Sequence, residues 1–111
     1  MRGWSDMLTN GEVTVFCLDE NQEEYIVRAT VPAWVRHQMR LRDQGNGVRR
    51  VDTFDIRIKL ELVEHIEAGD IIFFGRAEAA DMKRCRKIAA VRKNNYGSVP
   101  HWHLEAEYMY R

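Results

Sequence analysis

Alternation of apolar and polar side chains is the strongest signal in the chain. Thr53-Phe54-Asp55-Ile56-Arg57-Ile58-Lys59-Leu60-Glu61-Leu62 switches character at every step. A period of two puts Phe54, Ile56, Ile58, Leu60 and Leu62 on one side of a strand, whereas a helix would scatter them around its circumference. Val13 to Leu18 and Tyr25 to Val31 are two further β-rich runs, separated by the acidic turn Asp19-Glu20-Asn21-Gln22-Glu23-Glu24, and they predict a hairpin.

Ile71-Ile72-Phe73-Phe74 does not alternate. Entered through Glu67-Ala68-Gly69-Asp70 and closed at Gly75, it predicts a short strand covered on both faces. Lys87 to Val91 reads as another strand and Asn94 to Ser98 as a turn. The last run, His101 to Tyr110, puts Trp102, Leu104, Ala106, Tyr108 and Tyr110 opposite His101, His103, Glu105, Glu107 and Met109. Ala33 to Arg50 predicts a long connection with a short helix through Trp34, Gln38 and Leu41, loosening at Asp43 to Gly47. Glu78 to Arg86 predicts a looser stretch with a turn of helix. The expected fold is all-β: one small antiparallel β-barrel or sandwich of about six strands, with one long loop between strands two and three.

Length and composition agree with one folded domain over 1–111, since 45% hydrophobic residues, seven glycines and two prolines suit a packed core. Seventeen Lys plus Arg balance seventeen Asp plus Glu, which argues against indiscriminate coating of nucleic acid or anionic membrane. Cys17 and Cys85 stand far apart without CxxC spacing, the usage expected in a reducing compartment. No export leader and no membrane span is expected; the densest apolar run is Ile71 to Phe74.

Candidate chemistry is sparse. His101, His103 and Glu105 share a strand face and suit zinc or iron, but the further ligands His37 and His65 lack diagnostic spacing, so a solvated strand face is preferred. Neither a glycine-rich phosphate loop, a nucleophile elbow nor HExxH occurs, and Asp52 and Asp55 face opposite ways. The expectation is a protein that is not an enzyme and uses no cofactor or metal.

Charge is unevenly placed. Lys83, Arg84, Arg86, Lys87, Arg92 and Lys93 put six positive charges into eleven residues, a candidate basic partner surface. The long connection adds Trp34, Arg36, Arg40, Arg42, Arg49 and Arg50, candidates for subunit or channel-lining contacts. The first 24 residues hold six acids against Arg2 alone, and Asp19, Glu20, Glu23 and Glu24 form a candidate acidic edge. Solvated surface accounts for most such runs. Head-to-tail assembly of identical subunits is a second use of these charges. The third is single-stranded nucleic acid, with Trp34, Phe73 or Tyr96 stacking bases beside arginines.

The order of short motifs resembles the small neck proteins of tailed bacteriophages infecting Gram-positive hosts, the minor capsid or head–tail connector proteins of head-closure (stopper) type. The likeness rests on Ile66-Glu67-Ala68-Gly69-Asp70-Ile71-Ile72 to Gly75, Ile88 to Arg92, Asn95-Tyr96-Gly97-Ser98 and His101-Trp102, with Val13 to Phe16, Val31 to Trp34 and Asp52 to Lys59 upstream. It covers nearly the whole chain. Two features depart from it: a short connection at Glu61 to Glu67 and a heavy basic run at Lys83 to Lys87. The resemblance implies a virion protein at the head–tail interface, assembled in the host cytoplasm. Its partners would be itself as a ring, portal and adaptor proteins, tail terminator or tail tube proteins, and the packaged DNA in the channel, with no membrane. The alternative is a small β-barrel module for single-stranded nucleic acid, or a neighbouring neck role such as adaptor or tail terminator.

Overall fold

The computed structural model describes residues 9–43, 48–95, 97 and 99–108, and among these the side chains outside 39–51 and 108. Six strands account for most of it: β1 (Gly11–Asp19), β2 (Glu24–Asp43), β3 (Val48–Lys59), β4 (Ile71–Phe74), β5 (Arg86–Asn94) and β6 (His101–Tyr108). All neighbours are antiparallel, and they close in the order β1-β2-β3-β6-β5-β4. Of the two expected all-β architectures, the chain forms the barrel. Closure is thinnest between β4 and β5, which pair only at Ile71↔Lys87 and Ile72↔Arg86, so that beyond Ile88 the described β5 residues pair with β6 alone.

The alternation read from sequence fills the interior. Val13, Val15, Val31, Ala33, Ile56, Ile58, Ile72, Ile88, Leu104 and Ala106 point inward and pack as one core. Trp102 joins them and donates its indole N–H to the Val63 carbonyl at 3.0 Å, which draws Val63 and Ile66 into the core. β3 ends at Lys59, and a 3-10 turn over Leu60–Leu62 takes the last two alternating positions; Leu60 still packs on the core and Leu62 is exposed.

β4 is covered on both faces, as its unbroken apolar run predicts. Ile72 and Phe74 face the barrel core, while Ile71 belongs to a second cluster with Phe16 and Cys85. The connection from Gly75 to Arg86 lies over that cluster and adds Ala77, Ala80 and Met82. Thr14 ties it down: its hydroxyl donates to the Gly75 carbonyl at 2.8 Å and accepts from the Ala77 N–H at 3.2 Å. Here the expected helical turn is one isolated turn in which the Asp81 carbonyl accepts from Arg84 and Cys85.

The segment from Ala33 to Arg50 corrects the sequence reading. It is neither a loop nor a helix through Trp34, Gln38 and Leu41, because β2 runs through all three for 20 residues and pairs with β3 from Trp34↔Arg57 to Asp43↔Val48. Only 44–47 lie outside the described residues. β6 accompanies β3 only from Thr53 to Lys59, so beyond Gln38 and Thr53 the two strands pair with each other alone. At about 3.4 Å per residue, this ribbon carries the chain some 17 Å past the barrel wall before the turn. Polar residues recur on both of its faces, so it lacks the one-sided apolar stripe that announces a strand.

A bulge explains a second surprise. Val15 pairs with Ala29 but Phe16 pairs with Val27, leaving Arg28 as the extra residue of β2. The insertion shifts the phase, so Val27 follows Phe16 to the outer face and is 42% exposed.

Candidate functional site

The barrel splits the residues that the sequence had grouped. Lys83 and Arg84 are exposed on the connection over β4. Arg86 is half-buried and turns inward, its guanidinium 5.4 Å from the Phe54 ring centroid and 5.7 Å from that of Phe74, so it caps one mouth of the barrel. Lys93 lies 5.4 Å over Trp102 near the other end of β5. Lys87 and Arg92 stand on β5 opposite Glu107 and His103. The six basic residues therefore do not make one surface.

The acidic edge does come together. Asp19, Glu20, Glu23 and Glu24 surround the β1–β2 turn, which the Asp19 carboxylate stabilises by accepting from the Asn21 N–H at 3.0 Å. This turn opens β2, and the β2–β3 ribbon ends it, so the acidic residues and the ribbon occupy opposite ends of one strand. On the ribbon, Arg42 is registered opposite Arg49, Leu41 opposite Arg50 and Arg40 opposite Val51. Side-chain placement of Arg40, Arg42, Arg49 and Arg50 lies outside the described residues.

The densest polar arrangement is on the outer face of β2, β3, β6 and β5, where register stacks side chains in rows. One row is Trp34, Arg57, His103 and Arg92; the next is Arg36, Asp55, Glu105 and Ala90. Trp34 has the Arg57 guanidinium 5.0 Å and the Arg36 guanidinium 5.8 Å from its ring centroid. Asp55 is nearly buried although it faces outward, because Gln38 Nε2 donates to it, Arg36 stands 3.7 Å away and His103 Nε2 3.8 Å away. Burial holds the His103 imidazole below its ordinary pKa; Asp55 acts the other way, while Arg57 and Arg92 add to the depression. Sequence reasoning missed Arg57 and Asp55 as members of a site. Their only signal is the outward phase of β3, which does not say which strands flank them.

His101, His103 and Glu105 share a face, as the alternation requires, but they are engaged separately. His101 Nδ1 is 2.9 Å from the Val99 carbonyl and its Nε2 is 3.2 Å from Asn94. His37 lies 3.5 Å from Asp52, and His65 lies 3.0 Å from Glu67. Among the described residues no three His, Cys, Asp or Glu side chains gather closely enough to hold a metal ion. Cys17 is half-buried and Cys85 buried, both free; burial pushes the Cys85 thiol up, away from the nucleophilic thiolate. No helix among the described residues is long and apolar enough to cross a membrane.

The motif that carries most of the resemblance has a physical basis here. Gly69 and Gly75, which bracket β4, sit at φ of 101° and 127°, backbone regions closed to ordinary side chains. Asp70 between them is buried, accepts from the Glu67 N–H at 3.1 Å and lies 3.6 Å from Arg28. Comparison of the chain with protein-family models, curated proteins and solved structures finds no match.

Proposed function

We propose that this protein is a structural subunit of a phage neck, of head-closure type, which associates with copies of itself around the DNA channel between portal and tail. The observation that carries this reading is the β2–β3 ribbon, a two-stranded arm bearing Arg40, Arg42, Arg49 and Arg50 on a closed barrel. A ribbon of two strands is marginal in water by itself, so a seat against a neighbouring subunit or the channel's DNA accounts for its length. The barrel supplies a rigid body that presents side-chain faces and the arm for association. Four arginines suit an acidic neighbour or a phosphate backbone. The motif resemblance points the same way, and the reading asks for no catalytic group.

The test is a chain-tracing reconstruction of the neck from virions, together with a variant in which 40–51 is replaced by a two-residue turn joining the registered pair Met39↔Asp52. Because β2 and β3 keep their pairing from Trp34↔Arg57 to Gln38↔Thr53, the shortened chain should fold. It should fail to complete heads that hold DNA. Virions whose neck lacks this domain, or full infectivity with the arm removed, would overturn the proposal.

A further inference from the structure

Beyond the arm, one part of the barrel wall has the chemistry of a polyanion site. In the row Trp34–Arg57–His103–Arg92, neither Arg57 nor Arg92 has a described carboxylate within ion-pair distance. Both are exposed, and His103 stands between them on the intervening strand. Two strand spacings separate the arginines, about 10 Å at the backbone, a gap that their long side chains can narrow onto one run of phosphates. Their fields meet at His103, where each works against protonation. A hollow lined by Arg92, His103 and Glu105 opens beside the β5 irregularity between Ile88 and Ala90, where β5 contributes only the Ala90 methyl to the next row.

We propose that this row binds the phosphate backbone of duplex DNA, with Arg57 and Arg92 as the charged contacts and His103 as a donor between them. Trp34 fixes the arginine rather than stacking a base. Guanidiniums from Arg57 and Arg36 already lie over its ring, which restrains them; Arg36 is engaged by Asp55, while the N–H edge of Arg57 faces no described carboxylate and can meet phosphate oxygens. A covered indole is a poor platform for an unpaired base, which favours a duplex over a single strand. Asp55 and Glu105 in the adjacent row repel phosphate and confine the contact to Arg57, His103 and Arg92. The inference rests on the neck reading for the identity of the polyanion, and it adds which face of the subunit meets DNA.

The experiment titrates the isolated full chain with a duplex of roughly 20 base pairs at about 20 mM salt, following backbone amides and the His103 imidazole by NMR. Amide shifts should centre on Arg57, His103 and Arg92. The His103 pKa should rise on binding, because phosphate charge offsets the field of the two arginines; a purely structural pair would leave it unmoved. Arg57→Gln with Arg92→Gln should weaken binding by about tenfold and flatten the salt dependence by about two phosphates, whereas Lys83→Gln with Arg84→Gln should change little. Absence of binding at low salt, equal loss in both double variants, or tighter binding of a single strand with quenching of Trp34 would overturn the proposal. DNA-binding failure with the domain still present in the neck refutes this inference alone. Absence from the neck refutes the neck reading whatever the titration gives.

Discussion

Replacing Thr14 with valine removes one hydroxyl at nearly constant shape, and it tests how the connection from Gly75 to Arg86 is held against the barrel. Thr14 is fully buried, and its oxygen serves the Gly75 carbonyl at 2.8 Å and the Ala77 N–H at 3.2 Å, with the Thr30 hydroxyl 3.2 Å away. In Thr14→Val two half-covered backbone groups lose their partner. An unpaired desolvated group costs about 1–3 kcal/mol, so the pair should cost about 2–6 kcal/mol, toward the lower end because both groups are only half covered. Thr14→Ser keeps the hydroxyl and loses a buried methyl group, which should cost about 1 kcal/mol. Urea unfolding reads both, and unchanged m-values would show that the denatured state is not responsible. Amide exchange adds a local readout: 76–85 should exchange faster in Thr14→Val, because its tether to β1 is cut and only its apolar contacts with Phe16 and Ile71 still hold it. If serine were as destabilising as valine, or if valine cost less than about 0.5 kcal/mol, the hydroxyl would not be the tether.

Trp102→Phe should cost about 1–3 kcal/mol in chemical unfolding beyond the smaller ring, because the Val63 carbonyl loses its buried donor; a loss explained by area alone would refute that role. Asp70 gives a pH signature. Burial is the main cause that raises its pKa, against the Glu67 hydrogen bond and Arg28, so the folded state holds the proton more tightly than the unfolded chain. That contribution is complete below the ordinary aspartate pKa and is lost as pH rises through the elevated folded one. The stability of the native chain relative to Asp70→Asn should therefore fall across that window and then level; a flat or rising difference would contradict the assignment to burial. Replacing 40–51 by the two-residue turn should leave the thermal midpoint within a few degrees of the native chain, since no described barrel-core residue lies in the arm. A collapse of the midpoint would make the arm part of the folding unit.

Much of this fold is carried by local pattern. The period of two in β3 and β6, the hairpin of β1 and β2 with its acidic turn, and the unbroken run of β4 each reflect how neighbouring side chains meet core or solvent, and each appears in the structure, although β3 stops at Lys59, short of the alternation's end at Leu62. Gly69 and Gly75 mark their turns for an equally local reason: the backbone there excludes a Cβ. The arm escaped because its residues mix polar and apolar types at both phases of the alternation, and Gly45 and Gly47 imitate a loop. The bulge at Arg28 could not be read, since it exists only in register with Phe16.

The sequence by itself determined that most of the chain makes strands, which side of β3 and β6 is dry, and where the turns at Gly69 and Gly75 fall, because these depend on residues close along the chain. Closure of β4 onto β1, the turning of Arg86 inward over Phe54 and Phe74, and the gathering of Trp34, Arg57, His103 and Arg92 into one row were decided by tertiary structure. Those features depend on which strands become neighbours and in what register, quantities set by packing the whole core at once.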